Sequence, residues 1–132
     1  MSRIRPLDRL ARIALGNRGE RLAAKYLKRH GLRILTRQFR VRRGEIDIIA
    51  REGDTLVFVE VKTRRRGTPV EAVTPEKQRR ITRAAYAFLR RYGLQDAAIP
   101  CRFDIVAIVW ASDNELPIVD HFRNAFQAAD HA

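Results

Sequence analysis

Three β-rich runs separated by short turns dominate what this chain can fold into. Residues 32–41 (LRILTRQFRV), 45–51 (EIDIIAR) and 55–62 (TLVFVEVK) read as strands, with Arg42-Arg43-Gly44 and Glu52-Gly53-Asp54 as the turns between them. Strands joined by so few residues must run antiparallel, because a parallel return needs a crossover of a dozen residues or more. An antiparallel meander is therefore expected at the centre of the fold.

Helical patterns bracket the meander. From Asn17 to His30, Leu15, Gly19, Leu22, Ala23, Tyr26 and Leu27 fall on one face, Arg18, Arg21, Lys25 and Lys28 fall opposite, and Gly31 stops the run. Residues 1–15 form a basic arm in which Leu7, Leu10 and Ala14 are spaced for a loosely docked helix. After a polar loop from Thr63 to Val73, Thr74-Pro75 reads as an N-cap followed by proline in the first turn. That helix should run to Tyr92, stop at Gly93, and bury Ile81, Ala85, Phe88, Leu89 and Tyr92. Residues 102–110 (RFDIVAIVW) predict a fourth strand buried on both faces, with Cys101 beside it as a small buried apolar residue, and 117–123 a short fifth. The order α-β-β-β-α-β-β predicts an α+β or mixed α/β domain over residues 16–126, with a tail at 127–132.

Charge narrows the partners. The net charge is +12, and all but four of the 27 basic residues are arginine. A compact chain with that excess repels itself, and its natural partner is a polyanion. Arginine's planar fork suits phosphate oxygens. Arg40, Arg42 and Arg43, then Arg64, Arg65 and Arg66, then Arg79, Arg80 and Arg83 form three clusters. Nucleic acid is the expected partner, with these arginines as its phosphate contacts. An anionic membrane is the weaker choice, because no long amphipathic helix carries bulky apolar anchors. The single cysteine excludes an internal disulfide and suits a reducing, cytoplasmic compartment.

The third strand carries an anomaly. VFVEVK is otherwise apolar, yet it holds Glu60 and Lys62, which share a face of the strand about 6.7 Å apart. The second strand holds Asp47 between Ile46 and Ile48, and the meander can set it beside Glu60. Taken singly, each reads as readily as half of a strand-end ion pair. Together they read as a site: adjacent carboxylates repel unless a cation lies between them. A hard cation, Mg²⁺ or Mn²⁺, held by Asp47 and Glu60 would satisfy them. Lys62 would then orient or deprotonate a water, or stabilise negative charge. Glu20, at the border of the first helix's apolar face, could add an outer or second-metal ligand. Lys77 and Gln78, one turn before the second helix's apolar stripe, could point into the site or lie in an exposed first turn. No glycine-rich phosphate loop and no Cys/His zinc spacing is present. His30, His121 and His131 read as a helix end, a late strand and a tail, which disfavours a histidine-based dyad.

GNRGE at 16–20, RRGEIDIIA at 42–50, LVFVEVKTR at 56–64, EAVTPEKQRR at 71–80 and RFDIVAI at 102–108 together resemble the YraN-like family, grouped with the PD-(D/E)XK nucleases and close to archaeal Holliday junction resolvases. The resemblance covers about residues 14–126 and implies a restriction-endonuclease-like αβββαβ core. Glu20 would match the first-helix carboxylate and Asp47 the motif aspartate. Glu60 and Lys62 would match the (D/E)XK pair, and Lys77 and Gln78 the polar position on the following helix. Ile46 stands where the superfamily name has proline. The expectation is a metal-dependent endonuclease acting on DNA, branched or otherwise structured. A homodimer would suit a four-way junction. The alternative is a nucleic-acid-binding module of the same fold that does not cut, or cuts only with a partner.

Overall fold

The computed structural model describes residues 6–68, 72–112 and 114–130, with side chains from Asn17 onward. The element order is α1 (Pro6–Arg29), β1 (Arg33–Val41), β2 (Gly44–Glu52), β3 (Thr55–Arg65), α2 (Pro75–Arg91), β4 (Cys101–Trp110) and β5 (Ile118–Phe126). The first helix thus begins at Pro6 instead of Asn17. Gly16 does not interrupt it, since a lone glycine costs a helix only about 1 kcal/mol. Residues 1–5 of the expected arm and His131 of the expected tail lie outside the described residues. No described helix is long and apolar enough to cross a membrane.

The five strands form one sheet in the order β1-β2-β3-β4-β5. The meander is antiparallel as expected, α2 carries the chain across to a β4 parallel to β3, and β5 returns antiparallel. This mixed sheet with helices on both faces is the restriction-endonuclease-like αβββαβ core.

Strand alternation divides the core in two. Val57 and Val59 of β3 pack with Ile48, Ala50, Val106 and Ile108 against Ala23, Ala24 and Leu27 of α1. Leu56 and Phe58 point the other way, to Ile81, Ala84, Ala85 and Phe88 of α2. Glu60 and Lys62 continue that second row, so the strand's period of two places them on the α2 face.

The second helix begins as its sequence predicts: Thr74 has an extended backbone (φ −64°, ψ 160°) and its hydroxyl accepts the Lys77 amide. Tyr92 departs from expectation. It is 60% exposed, because the helix is ending there and its ring lies along Phe88, 4.8 Å between centroids, instead of entering the sheet.

Two further expectations change. Cys101 is exposed, because it opens β4 at the rim of the sheet. β4 is fully buried only towards α1, since Ile105, Ala107 and Val109 on its other face are half-buried. Asp104, which the sequence left without a role, is completely buried. It accepts from Arg102 (3.0 Å), His121 (2.8 Å) and the Asn124 amide (2.9 Å), and so ties β5 to β4. Arg102 and Arg123 both reach Glu52 at 2.8 Å, which extends the network across the sheet to β2.

Candidate active site

The meander splays where the anomalous carboxylates stand. The β2–β3 register runs from Glu52↔Thr55 to Ile48↔Val59 and goes no further. Beyond it, the Val61 amide donates to Asp47 Oδ2 at 2.8 Å, so a side-chain oxygen replaces the backbone acceptor that a regular ladder would supply. Ile46 and Ile49, three residues apart, pack in the same cluster, so strand alternation breaks at Asp47. On the other side of β2, the pairs Arg37↔Ile48 and Phe39↔Ile46 bracket Gln38 opposite Asp47. Gln38 has a φ of 52°, a left-handed backbone that a non-glycine residue adopts at a cost.

The Asp47 and Glu60 carboxyls meet in this gap, close enough to share a hydrogen bond. Glu60 is 4% exposed and its Oε2 is buried with no donor facing it. Burial, then the Asp47 charge, push the Glu60 carboxyl up to about 8, against the attraction of Lys77 and Lys62. Burial also raises Asp47, and Glu45 adds to it, while the Val61 amide, Glu60 and Lys77 pull it down. Burial and mutual repulsion therefore favour a proton held between the two carboxyls.

Lys77 enters from the first turn of α2. Its Nζ lies 2.7 Å from Glu45 Oε1 and 3.6 Å from Glu60 Oε1. Burial works against its charge, but the bond to Glu45 and the charge of Glu60 hold its pKa above the ordinary lysine value. Lys62, half-buried on the Glu60 face, is near enough to lower the Glu60 pKa. Gln78 turns elsewhere: its amide donates to the Val73 carbonyl at 3.0 Å and ties down the loop before the helix.

Glu20 is buried too, but it is held by Arg37 Nε (3.2 Å) and Gln38 Nε2 (3.5 Å). Gln38 thus links Glu20 to the strand position facing Asp47. Among the described residues no three His, Cys, Asp or Glu side chains gather closely enough to hold a metal. The structure brings Asp47 and Glu60 together and engages Glu20 with Arg37 and Gln38 instead. Of the arginine clusters, Arg40 and Arg80 face Glu45, Arg79 pairs with Glu76 at 2.8 Å, and Arg83 donates to the Arg43 carbonyl. Arg64 closes on the Thr68 carbonyl at 3.1 Å, and the Arg66 amide donates to the Trp110 carbonyl at 2.7 Å.

Two glycines set the close approaches that build the site. A Cβ on Gly44 would lie 2.7 Å from the Arg80 carbonyl oxygen, so only glycine lets the β1–β2 turn lie under α2. A Cβ on Gly19 would collide with the Thr63 side chain, so glycine lets α1 rest on the end of β3 beside Lys62. Glu45 joins the site although its residue type and position alone did not single it out. Its one signal in the sequence is the spacing of two from Asp47 in EIDIIA.

A divalent cation fits these donors. Two buried carboxyls are driven towards protonation in spite of Lys77 and Lys62, and one oxygen lacks any donor, so further positive charge would be accommodated there. Magnesium is commonly held by one or two carboxylates, with water and substrate oxygens completing its octahedron.

The sequence matches the family described as "Uncharacterised protein family UPF0102" over residues 19–108. The chain belongs to the UPF0102 family. A UPF0102 protein of Geobacter sulfurreducens is 54% identical over 118 residues, covering 87% of this chain and 90% of the relative. One from Geotalea uraniireducens is 47% identical over 129 residues, 96% of this chain and 99% of its own. One from Rhodococcus opacus is 50% identical over 117 residues, covering 86% and 97%. The resemblance read from the motifs is borne out, and the UPF0102 match reaches from the second half of α1 into β4, including all six candidate site residues.

Proposed function

We propose that this UPF0102 protein is a divalent-metal-dependent nuclease that hydrolyses phosphodiester bonds of DNA. One observation carries the reading: the buried, donorless Oε2 of Glu60 beside Asp47 at the splayed end of β2 and β3. Asp47 and Glu60 would hold Mg²⁺ or Mn²⁺, which would supply a water of lowered pKa and an offset to the charge on the phosphate.

The chain's own residues do the rest. Hydrolysis adds water to phosphorus, breaks one P–O ester bond and delivers a proton to the departing oxygen. Lys62, on the same face as Glu60, orients the water and stabilises the charge that grows on the phosphate. Lys77 bridges Glu45 and Glu60 and fixes the Glu60 carboxylate on its Oε1 side. Glu20 acts through Gln38 on the strand facing Asp47. The net charge of +12 favours a polyanionic substrate, whose backbone is gripped without reading its sequence.

The test is a metal-supplemented cleavage panel of linear duplex, single-stranded, flapped and four-way-junction DNA. Asp47→Asn and Lys62→Ala should abolish cleavage and leave binding largely intact. Unchanged cleavage in both variants would sink the assignment. Metal-independent binding with no turnover on any of the substrates would favour a binding module of the same fold.

A further inference from the structure

The far side of the α2–hairpin contact holds a second feature. Gly44 seats the β1–β2 turn under α2 at Arg80 and Ala84. On one side of that contact lie Glu45, Lys77 and the carboxylates. On the other lies an open cavity of about 300 Å³ lined by Val41, Arg42, Arg83, Tyr86, Ala87 and Arg90. Three of its six lining residues are arginine and none is acidic.

The arginines nearer the carboxylate site are offset locally, Arg79 by Glu76 at 2.8 Å and Arg80 by Glu45 at 3.9 Å. Within the cavity, Arg83 Nη1 donates to the Arg43 carbonyl at 3.2 Å, and Glu76 acts on Arg83 only through its more distant charge. Three guanidinium groups around one hollow repel one another, and an oxyanion with several acceptor oxygens relieves that repulsion. Tyr86, 44% exposed in the same wall, adds a hydroxyl donor.

We propose that this cavity is a backbone-phosphate site that holds the nucleic acid away from the bond to be cut. The inference rests on the nucleic-acid reading above and adds where a flanking phosphate is held. Arg83 and Arg90 stand six and thirteen residues beyond Lys77, about 9 and 20 Å along the helix. At about 3.4 Å of rise per nucleotide on one strand, the cavity is about three to six nucleotides from the carboxylate site. α2 then works as a ruler, with Lys77 at the carboxylates and Arg83 to Arg90 on the flanking backbone.

The test compares Arg42→Gln/Arg90→Gln with the charge-matched Arg29→Gln/Arg33→Gln, which changes exposed residues at the end of α1 and the start of β1. Binding of a fluorescent DNA duplex is followed by anisotropy in EDTA across a salt series. The cavity variant should weaken binding and flatten the log–log salt slope by about 0.9 for each phosphate no longer gripped. The control should stay close to wild type. Equal effects in the two variants would overturn the proposal. So would loss of binding to anionic lipid vesicles with DNA binding unchanged, which would assign the cavity to a membrane headgroup. Saturating single-turnover cleavage separates the two claims. A wild-type protein that binds through the cavity but never cuts removes the nuclease reading alone. A wild-type protein that cuts, with cavity and control variants alike in binding and in salt slope, removes the cavity alone.

Discussion

Replacing Glu60 by glutamine should stabilise the metal-free protein at neutral and alkaline pH. Glu60→Gln keeps the side chain's shape and removes a charge that the fold resists. The Glu60 carboxyl titrates near 8 in the folded protein against an ordinary value of 4.5, so the folded state holds its proton more tightly than the unfolded chain. Stability tied to that proton is fully present below about 4.5 and is lost as pH rises to about 8. At about 1.4 kcal/mol per unit, the loss is on the order of 4 kcal/mol at pH 8 and under about 1 kcal/mol at pH 5. Glutamine has no proton to lose and escapes it. Urea unfolding in EDTA reads this directly. With m about 1–3 kcal/mol/M, the Glu60→Gln midpoint should exceed wild type by more than about 1 M at pH 8 and should nearly coincide with it at pH 5. Magnesium at about 100 times its Kd should return about 2.7 kcal/mol to wild type and nothing to the variant. Parallel midpoints for the two proteins from pH 5 to pH 8 would refute the reasoning.

Lys77→Met should act in the opposite sense, lowering stability by roughly 1–2 kcal/mol at pH 8, because it strips Glu45 and Glu60 of their shared cation. The loss should shrink in the Glu60→Gln background, a coupling that a double-mutant cycle in urea measures. Gly44→Ala should cost about 1–3 kcal/mol, since its Cβ would meet the Arg80 carbonyl at 2.7 Å; thermal unfolding reports it, and an unchanged midpoint would show that the hairpin can shift freely. Asp104→Ala should cost about 3–5 kcal/mol by leaving the buried His121 without its carboxylate, the Asn124 amide without its acceptor and Arg102 with Glu52 alone, and hydrogen exchange should show β5 opening first.

The sequence was most legible where one periodicity governed. The meander needed only two short turns between β-branched runs, and α2 announced itself through Thr74-Pro75. Asp47, Glu60 and Lys62 stood out because charge interrupts two apolar strands that a short turn sets side by side, which groups residues that singly would read as ion-pair partners. The residues that escaped are those whose role depends on registers between strands. Glu45 has the same spacing signal as Asp47, but its function comes from Lys77, 32 positions away and brought near only by α2. Gln38 looks like any exposed strand residue, and neither its left-handed backbone nor its place opposite Asp47 can be read from its neighbours. Gln78 shows the converse: a helical face put it beside Lys77, yet the free carbonyl of Val73 captured its amide. In RFDIVAI, Arg102 and Asp104 carried no legible purpose, because their partners Glu52, His121 and Arg123 arrive from β2 and β5.

The splay between β2 and β3 ties fold and chemistry together. A regular ladder past Ile48↔Val59 would have satisfied the Val61 amide with a backbone carbonyl and left Asp47 no structural task. Because the ladder stops, the amide fixes Asp47 Oδ2, and the same gap admits Lys77 to Glu60 Oε1. Each carboxylate thus has one oxygen held by the protein, and that hold orients the other. The site can be rigid without being neutral. Its anchors come from the backbone of β3 and the first turn of α2, elements pinned by the core and by Gly44, so they persist when the carboxylates repel each other. A loop-borne pair would relax apart and surrender both the raised Glu60 pKa and the proposed affinity for a cation. Instability of the empty site and the proposed affinity for a divalent ion would therefore be two readings of one strained arrangement. A variant that lets the two strands pair regularly past Ile48 should lose both together.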